Sequence, residues 1–195
     1  MQVGARGGSG SGVTDDELMV RGAQGDEDAF RILVQRWERP VLAFLERMLS
    51  SREEAEDLGQ ETFLRVCRQA PRYQPTGQFR SWLFRIAGNL ARSRLRRRRI
   101  LEWVRFEPGR HDAAAGEEPA DRKLEREESR RVVQAALARL PDRQRQAVLL
   151  RRYDGLSHRE IASALGTTIP AVESLLHRAL VTLRRDLART EVAKP

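Results

Sequence analysis

The chain has 195 residues, 33% of them charged and 40% hydrophobic, a balance that suits a folded soluble protein and argues against wholesale disorder. Its net charge of +8 favours polyanionic partners, either nucleic acid or an anionic membrane surface, while a merely soluble basic chain would show the same excess. Cys67 is the only cysteine, which excludes an internal disulfide and fits a reducing cytoplasm; three scattered histidines offer no metal-site spacing, and no apolar run is long enough to span a bilayer.

Helical apolar periodicity recurs along the chain and strand signals are nearly absent. The expected fold is all-α, with two small helical domains joined by a flexible linker, the C-terminal one a helix-turn-helix. Residues 1–13 are rich in Gly and Ser, lack a signal peptide's apolar segment and read as a disordered tail. The domains are expected over 14–100 and 129–190, with the linker over 101–128 and a short tail over 191–195.

In the first domain, Asp15, Asp16 and Glu17 open a helix where negative charge suits the dipole. A second helix follows Gly25-Asp26, with Ala29, Phe30, Leu33, Val34 and Trp37 on one stripe. Pro40 is expected to interrupt it or to begin the next segment, Val41 to Leu49. Ser51 and Glu54 have capping-box spacing for a third helix. Its inner stripe is Ala55, Leu58, Thr62, Val66 and Ala70, and its other side carries Glu53, Asp57, Gln60, Glu61 and Leu64. After Pro71 and the turn Pro75-Thr76-Gly77, a last helix runs from about Phe79 to Arg99, with Phe79, Leu83, Ile86, Ala87 and Leu90 on its apolar side.

That helix ends in RSRLRRRR, residues 92 to 99, where six arginines in eight positions face all sides and no salt-bridge pattern accounts for them. Phosphate neutralisation is one use for such a run. A solvated helix end, with cations favourable at its C-terminus, is the other. Arginine makes up nearly all the cations, Lys123 and Lys194 being the only lysines, a bias a GC-rich genome would produce equally. Just upstream, Tyr73, Phe79, Trp82 and Phe84 interleave with Arg72, Arg80 and Arg85. Aromatic rings can stack splayed bases while arginines hold the backbone. Phe79 and Trp82 read more simply as core, which leaves Tyr73, in a turn-rich loop, as the stacking candidate.

The linker holds Pro108, Gly109, Gly116 and Pro119 as helix breakers. In the second domain Ser157 and Glu160 have capping-box spacing, and Ile161, Ala162 and Leu165 make a short amphipathic helix. Gly166 is placed to end it in the left-handed conformation; Thr168 can cap the next helix, with Pro170 in its first turn. Val172, Leu175, Leu176, Ala179, Leu180 and Leu183 form an expected buried stripe. Ala171, Glu173, Ser174, His177 and Arg178 lie off that stripe, where a recognition helix faces the major groove. A plain helical hairpin is the competing reading.

The acidic side Asp57, Gln60, Glu61 does not suit DNA. No histidine pair, nucleophile motif or phosphate loop accompanies it, so no enzyme, metal or cofactor is expected. An arginine-rich protein partner is the better use for it, and a solvated face the alternative. Cys67, near the apolar side of its helix, is expected to be a buried thiol.

Three stretches in order resemble the extracytoplasmic-function family of RNA polymerase sigma factors. EEAEDLGQETFLRVCR is similar to the core-binding helix, FRSWLFRIAGNLARSRLRRRR to the segment that melts and reads the −10 element, and ALARLPDRQRQAVLLRRYDGLSHREIASALGTTIPAVESLLHRALVTLRR to the −35-reading domain. The resemblance covers nearly all of residues 14–190. It implies that Asp57, Gln60 and Glu61, with Leu64, dock on the clamp helices of the polymerase's largest subunit. Tyr73 and Asn89 would hold a flipped base, and Arg80, Arg92, Arg96 and Arg97 would track the backbone. Thr168, Ala171, Glu173, Ser174, His177 and Arg178 would meet −35 DNA, and the helix around Val133, Leu137 and Leu140 would help bury the flap tip. An anti-sigma protein is the further partner implied, and signal-responsive promoters the target. Gly59, Cys67, Glu173 and Leu175 depart from the commoner residues at their positions, Gly59 loosening its helix by about 1 kcal/mol. A stand-alone helix-turn-helix regulator and an arginine-rich RNA-binding protein are the competing functions. The two ends of a promoter lie about 80 Å apart, whereas a flexible coil of the linker's length averages about 30 Å, so the free chain is not expected to hold its domains at promoter spacing.

Overall fold

Capping side chains set most helix starts in the computed structural model, which describes residues 12–104 and 131–192. Helix α1 (Asp15–Ala23) begins with a complete capping box: Thr14 Oγ1 accepts from the Glu17 N–H, and the Glu17 carboxylate accepts from the Thr14 N–H at 2.7 Å. Asp26 caps α2 (Glu27–Leu49), accepting from the Ala29 N–H at 2.9 Å. Ser51 caps α3 (Arg52–Gln69), and a short 3-10 turn (Ala70–Arg72) leads toward α4 (Phe79–Val104).

The expected break at Pro40 does not occur: α2 is one continuous helix with the proline inside it. Proline removes one backbone bond. Leu33 before it and Val41, Phe44 and Leu45 after it are all buried in one core, and that packing holds both halves in line. Phe84 of α4 is the hub of that core, edge-on to Phe44 at 5.2 Å and to Trp37 at 6.1 Å. The α3 stripe is as expected, with Ala55, Leu58, Thr62, Val66 and Ala70 all buried.

Two expected boundaries shift. Residues 101–104, assigned to the linker, are the end of α4. Val13, assigned to the tail, is tied down, its carbonyl accepting from Arg36 Nη1 at 3.3 Å. Residues 1–11 of the tail, 105–130 of the linker and 193–195 lie outside the described residues.

The second domain has a helical stretch over residues 131–138, then α5 (Asp142–Arg152), α6 (His158–Leu165) and α7 (Ile169–Val192). Ser157 and Glu160 form a full capping box, and Gly166 ends α6 at φ 59°, the left-handed conformation that glycine adopts without strain. The Ala171 N–H donates to Thr168 Oγ1 at 3.4 Å, the cap of α7. Among the described residues there is no strand, and no helix is long and apolar enough to cross a membrane.

The domains pack on one another, α6 along α4 and α5 against α2. The C-terminal carbonyls of α2, which its own helix leaves unpaired, receive donors from the other domain. Gln134 Nε2 donates to Glu46 O and Arg47 O at 3.4 Å, and Arg145 Nη1 donates to Met48 O at 2.6 Å. Arg98 of α4 covers Leu49 O at 3.2 Å. Above them the Arg47 guanidinium lies 4.3 Å over the Tyr153 ring.

Candidate protein and nucleic-acid interfaces

The side of α3 opposite its buried stripe is open. Asp57 and Gln60 are exposed, and Leu64 is 51% exposed beside them. Glu61 is half-buried and accepts from Arg65 Nε at 2.7 Å. The expected capping box of this helix is only half formed. Ser51 Oγ accepts from the Glu54 N–H at 3.3 Å, but the Glu54 carboxylate turns away to α4. Cys67 is exposed, contrary to the buried thiol expected: Val66 takes the inward position, and one residue further round α3 carries the thiol past the covered edge.

Glu54 corrects the reading of the arginine run. Its Oε1 accepts from Arg94 Nη1 and Arg98 Nε, both at 3.2 Å, and Arg98 Nη2 reaches the other oxygen. Arg99 pairs with Asp142 of α5. Three of the arginines are therefore committed to carboxylates distant in sequence. Arg92 Nη2 donates to Asn89 Oδ1, and burial, followed by the nearby Arg143, pulls the guanidinium below its ordinary pKa. Arg96 and Arg97 are exposed. Arg80, at the other end of α4, is half-buried.

Tyr73 does not stand in a free loop. Its hydroxyl donates to Asp16 Oδ1 at 2.7 Å, and the Gly77 N–H donates to the other oxygen of Asp16. Burial, then the Asp16 carboxylate, holds the phenol above its ordinary pKa. The ring lies 4.9 Å from Trp82 and 6.0 Å from Phe79. Phe79 is core, as expected; Trp82 is only half-buried and lines, with Tyr73, a 410 Å³ cleft whose rim includes Arg72, Gln78, Arg85 and Ser163.

On α7, Thr168, Glu173, Ser174, His177 and Arg178 are exposed and Ala171 is half-buried, one continuous face beyond the turn. Arg178 Nη2 donates to Ser174 Oγ at 2.9 Å, holding the guanidinium along the helix, and His158 of α6 lies 3.6 Å from the Glu173 carboxylate. Val172 and Ala179 are fully buried; Leu180 is 51% exposed, contrary to the expected stripe, because it sits at the edge of the face that α7 turns to α5 and α6. Leu137 and Leu140 are buried and only Val133, 37% exposed, is accessible, so the flap-tip surface implied for these three is covered in this arrangement.

Known proteins share this layout. The model for Sigma-70 region 2 matches residues 33–100, and that for Sigma-70 region 4 matches residues 130–183. The ECF RNA polymerase sigma factor SigW of Bacillus subtilis is 31% identical over 172 residues, covering 84% of this chain and 91% of that protein. The RNA polymerase sigma-H factor of Pseudomonas aeruginosa is 32% identical over 181 residues, covering 89% and 93%. The chain belongs to the extracytoplasmic-function family of RNA polymerase sigma factors. Among solved structures, CnrH in complex with the cytosolic domain of CnrY aligns at a TM-score of 0.67 and 26% identity, over 92% of this sigma factor and 99% of that chain.

Of the residues singled out in the sequence, the structure gathers the acidic set of α3 on one open face and the α7 set on another. It brings Tyr73 to the cleft beside Trp82, whereas Asn89 faces Arg92 further along α4. Asp16, Glu54, Gln78, Gln146 and Asp154 were missed. Their partners lie 57, 40 or more residues away, or across the domain contact, and no local pattern announces them. Among the described residues no group of three His, Cys, Asp or Glu side chains could hold a metal.

Proposed function

We propose that this sigma factor docks on core RNA polymerase through α3 and reads promoter DNA with two separate surfaces. Asp57, Gln60, Glu61 and Leu64 grip the clamp helices of the largest subunit. Tyr73 and Asn89 hold a base of the melted −10 element while Arg80, Arg92, Arg96 and Arg97 follow its backbone. Thr168, Ala171, Glu173, Ser174, His177 and Arg178 meet the −35 duplex in the major groove. One observation carries the reading: Asp57 and Gln60 are exposed beside Leu64 on the side of α3 that the fold leaves uncovered, where a basic partner can dock. Residues 14–100 form the polymerase-binding and −10 domain, and 129–190 the −35 domain. The protein acts in the cytoplasm as an initiation factor and not as a catalyst, at stress- or signal-responsive promoters. An anti-sigma partner is expected from the family resemblance, and the similar protein CnrH is itself held by another protein, the cytosolic domain of CnrY.

Run-off transcription with purified core polymerase tests this. Promoter-specific transcripts are expected only when the chain is added. Tight, specific duplex binding without core, and no transcript with it, would overturn the proposal in favour of a stand-alone regulator.

A further inference from the structure

A second cleft, of 810 Å³, opens where the end of α2 and the start of α3 meet the other domain. Arg47, Ser50 and Arg52 line it from one domain, and Arg131, Val133 and Tyr153 from the other. None of the residues proposed above to meet polymerase or DNA is among them. Glu46 is the only carboxylate among the described residues around it, so three guanidinium groups leave the cleft positively charged and rich in hydrogen-bond donors. Arg52 Nε donates to Glu56 Oε1 at 2.9 Å, which uses one of its five donors. Arg47 Nη1 donates to the Ala43 carbonyl at 3.1 Å, and its guanidinium lies on the Tyr153 ring. Both groups are held in place before any ligand arrives, which lowers the ordering cost of binding.

Ser50 is an independent observation. Among the described residues it is the only one other than glycine with a positive φ, at 56°. A glycine would take that conformation without strain, so keeping a side chain there costs stability. What the serine adds is a hydroxyl. Its oxygen accepts from Gln134 Nε2 at 3.3 Å, which leaves the O–H as a donor toward the cleft.

We propose that this cleft is a binding site for a nucleoside polyphosphate, with Arg47, Arg52, Arg131 and the Ser50 hydroxyl holding its phosphates. Planar guanidinium forks match the oxygens of a phosphate group, and several of them together favour a ligand with more than one negative charge. The cleft has the volume of a site for a whole small molecule, far more than a phosphate fills. Val133 and Tyr153, 37% and 46% exposed, offer apolar surface against which a base can lie. The lining comes from both domains, so the site exists only while they touch. Bound nucleotide therefore ties the domains together and opposes any state that separates them, the promoter-spanning one included. That consequence, and not the site, rests on the function proposed above.

Isothermal titration of GDP into the full-length chain should give saturable binding, with inorganic pyrophosphate competing for the same site. Arg52→Ala and Arg131→Ala should each weaken GDP about tenfold, the loss expected for one charge-assisted hydrogen bond. Arg96→Ala with Arg97→Ala, on the exposed side of α4, should leave it unchanged. Ser50→Gly relieves the left-handed backbone, so it should lose GDP affinity with little change in urea stability, a split that a purely structural serine would not produce. No saturable binding, equal losses from the α4 arginines, or a cleft that answers only to a DNA oligonucleotide would overturn the site. GDP should also weaken core-polymerase binding by the wild type and leave that of Arg52→Ala with Arg131→Ala unchanged; the same response in both would overturn the tie between domains. A chain that binds GDP but never binds core keeps the site and loses the function proposed above, so the two failures are distinct.

Discussion

Helices α3 and α4 each carry a dense charge of one sign, and the fold treats the two differently. On α3 the apolar stripe is narrow and coherent, so burying it leaves Asp57 and Gln60 exposed by geometry alone. On α4 the arginines surround the helix, and the ones that face the body must find anions there. Arg94 and Arg98 converge on Glu54, and Arg99 meets Asp142, while Arg96 and Arg97 are left at the surface. Charge density in a sequence therefore measures binding surface only where one face of the helix carries it; elsewhere part of it is structural.

The largest test breaks the α3 side. Asp57→Lys with Glu61→Lys should weaken core-polymerase binding by about a hundredfold or more, since like charges facing each other at an interface cost several kcal/mol. Competition against another sigma factor for core measures it, and unchanged affinity would remove the acidic face from the interface. The next separates structural from available charge. Glu54→Ala leaves two part-buried guanidinium groups without their carboxylate and should cost about 2 kcal/mol in urea denaturation. Arg96→Ala and Arg97→Ala should leave stability within about 0.5 kcal/mol. Equal losses from all three would abolish the distinction.

A smaller effect concerns pH at the domain contact. Burial pushes the Asp154 carboxyl up to about 7 from 3.8, against Arg80 of α4 and Arg47 of α2, which lower it; Glu160 of α6 shares the field of Arg80. A carboxyl whose pKa is raised by burial favours the folded chain most below its ordinary pKa, and that contribution is lost as pH rises to about 7. Stability in urea should therefore fall between pH 4 and 7, and Asp154→Asn should flatten the curve; an identical profile in the variant would discard this role. The smallest effect sharpens the α4 side. Removing Arg96 or Arg97 should reduce the salt slope of single-strand binding by about 0.7 each, and removing Arg94 should not.

What could be read beforehand was what short-range periodicity encodes. The α3 stripe, the Ser157 and Glu160 capping box and the left-handed Gly166 all follow from spacing within a few residues. The misses are tertiary. Pro40 has the local chemistry of a breaker, yet Val41, Phe44 and Leu45 are held in a core that spans it. Glu54 looks like a capping partner for Ser51, but Arg94 and Arg98, both cationic, outbid a backbone N–H for its carboxylate. The site was legible as three charged faces because each lies on one helix. The cleft at Tyr73 was not, since Asp16 joins it from 57 residues away. Nor was Gly88, where a Cβ would overlap the Gln146 amide of the other domain.

The end of α2 carries a mechanical consequence. Gln134 and Arg145 reach across from the C-terminal half to donate to the carbonyls of Glu46, Arg47 and Met48, and Ser50, held at φ 56°, links that end directly to the Ser51 cap of α3. Pulling the halves apart strips these donors from the hinge on which the polymerase-docking helix is mounted. Separation is thus not a clean parting of two rigid bodies: the footing of α3 loosens as the other half departs, and by reciprocity whatever steadies α3 changes how readily that half lets go.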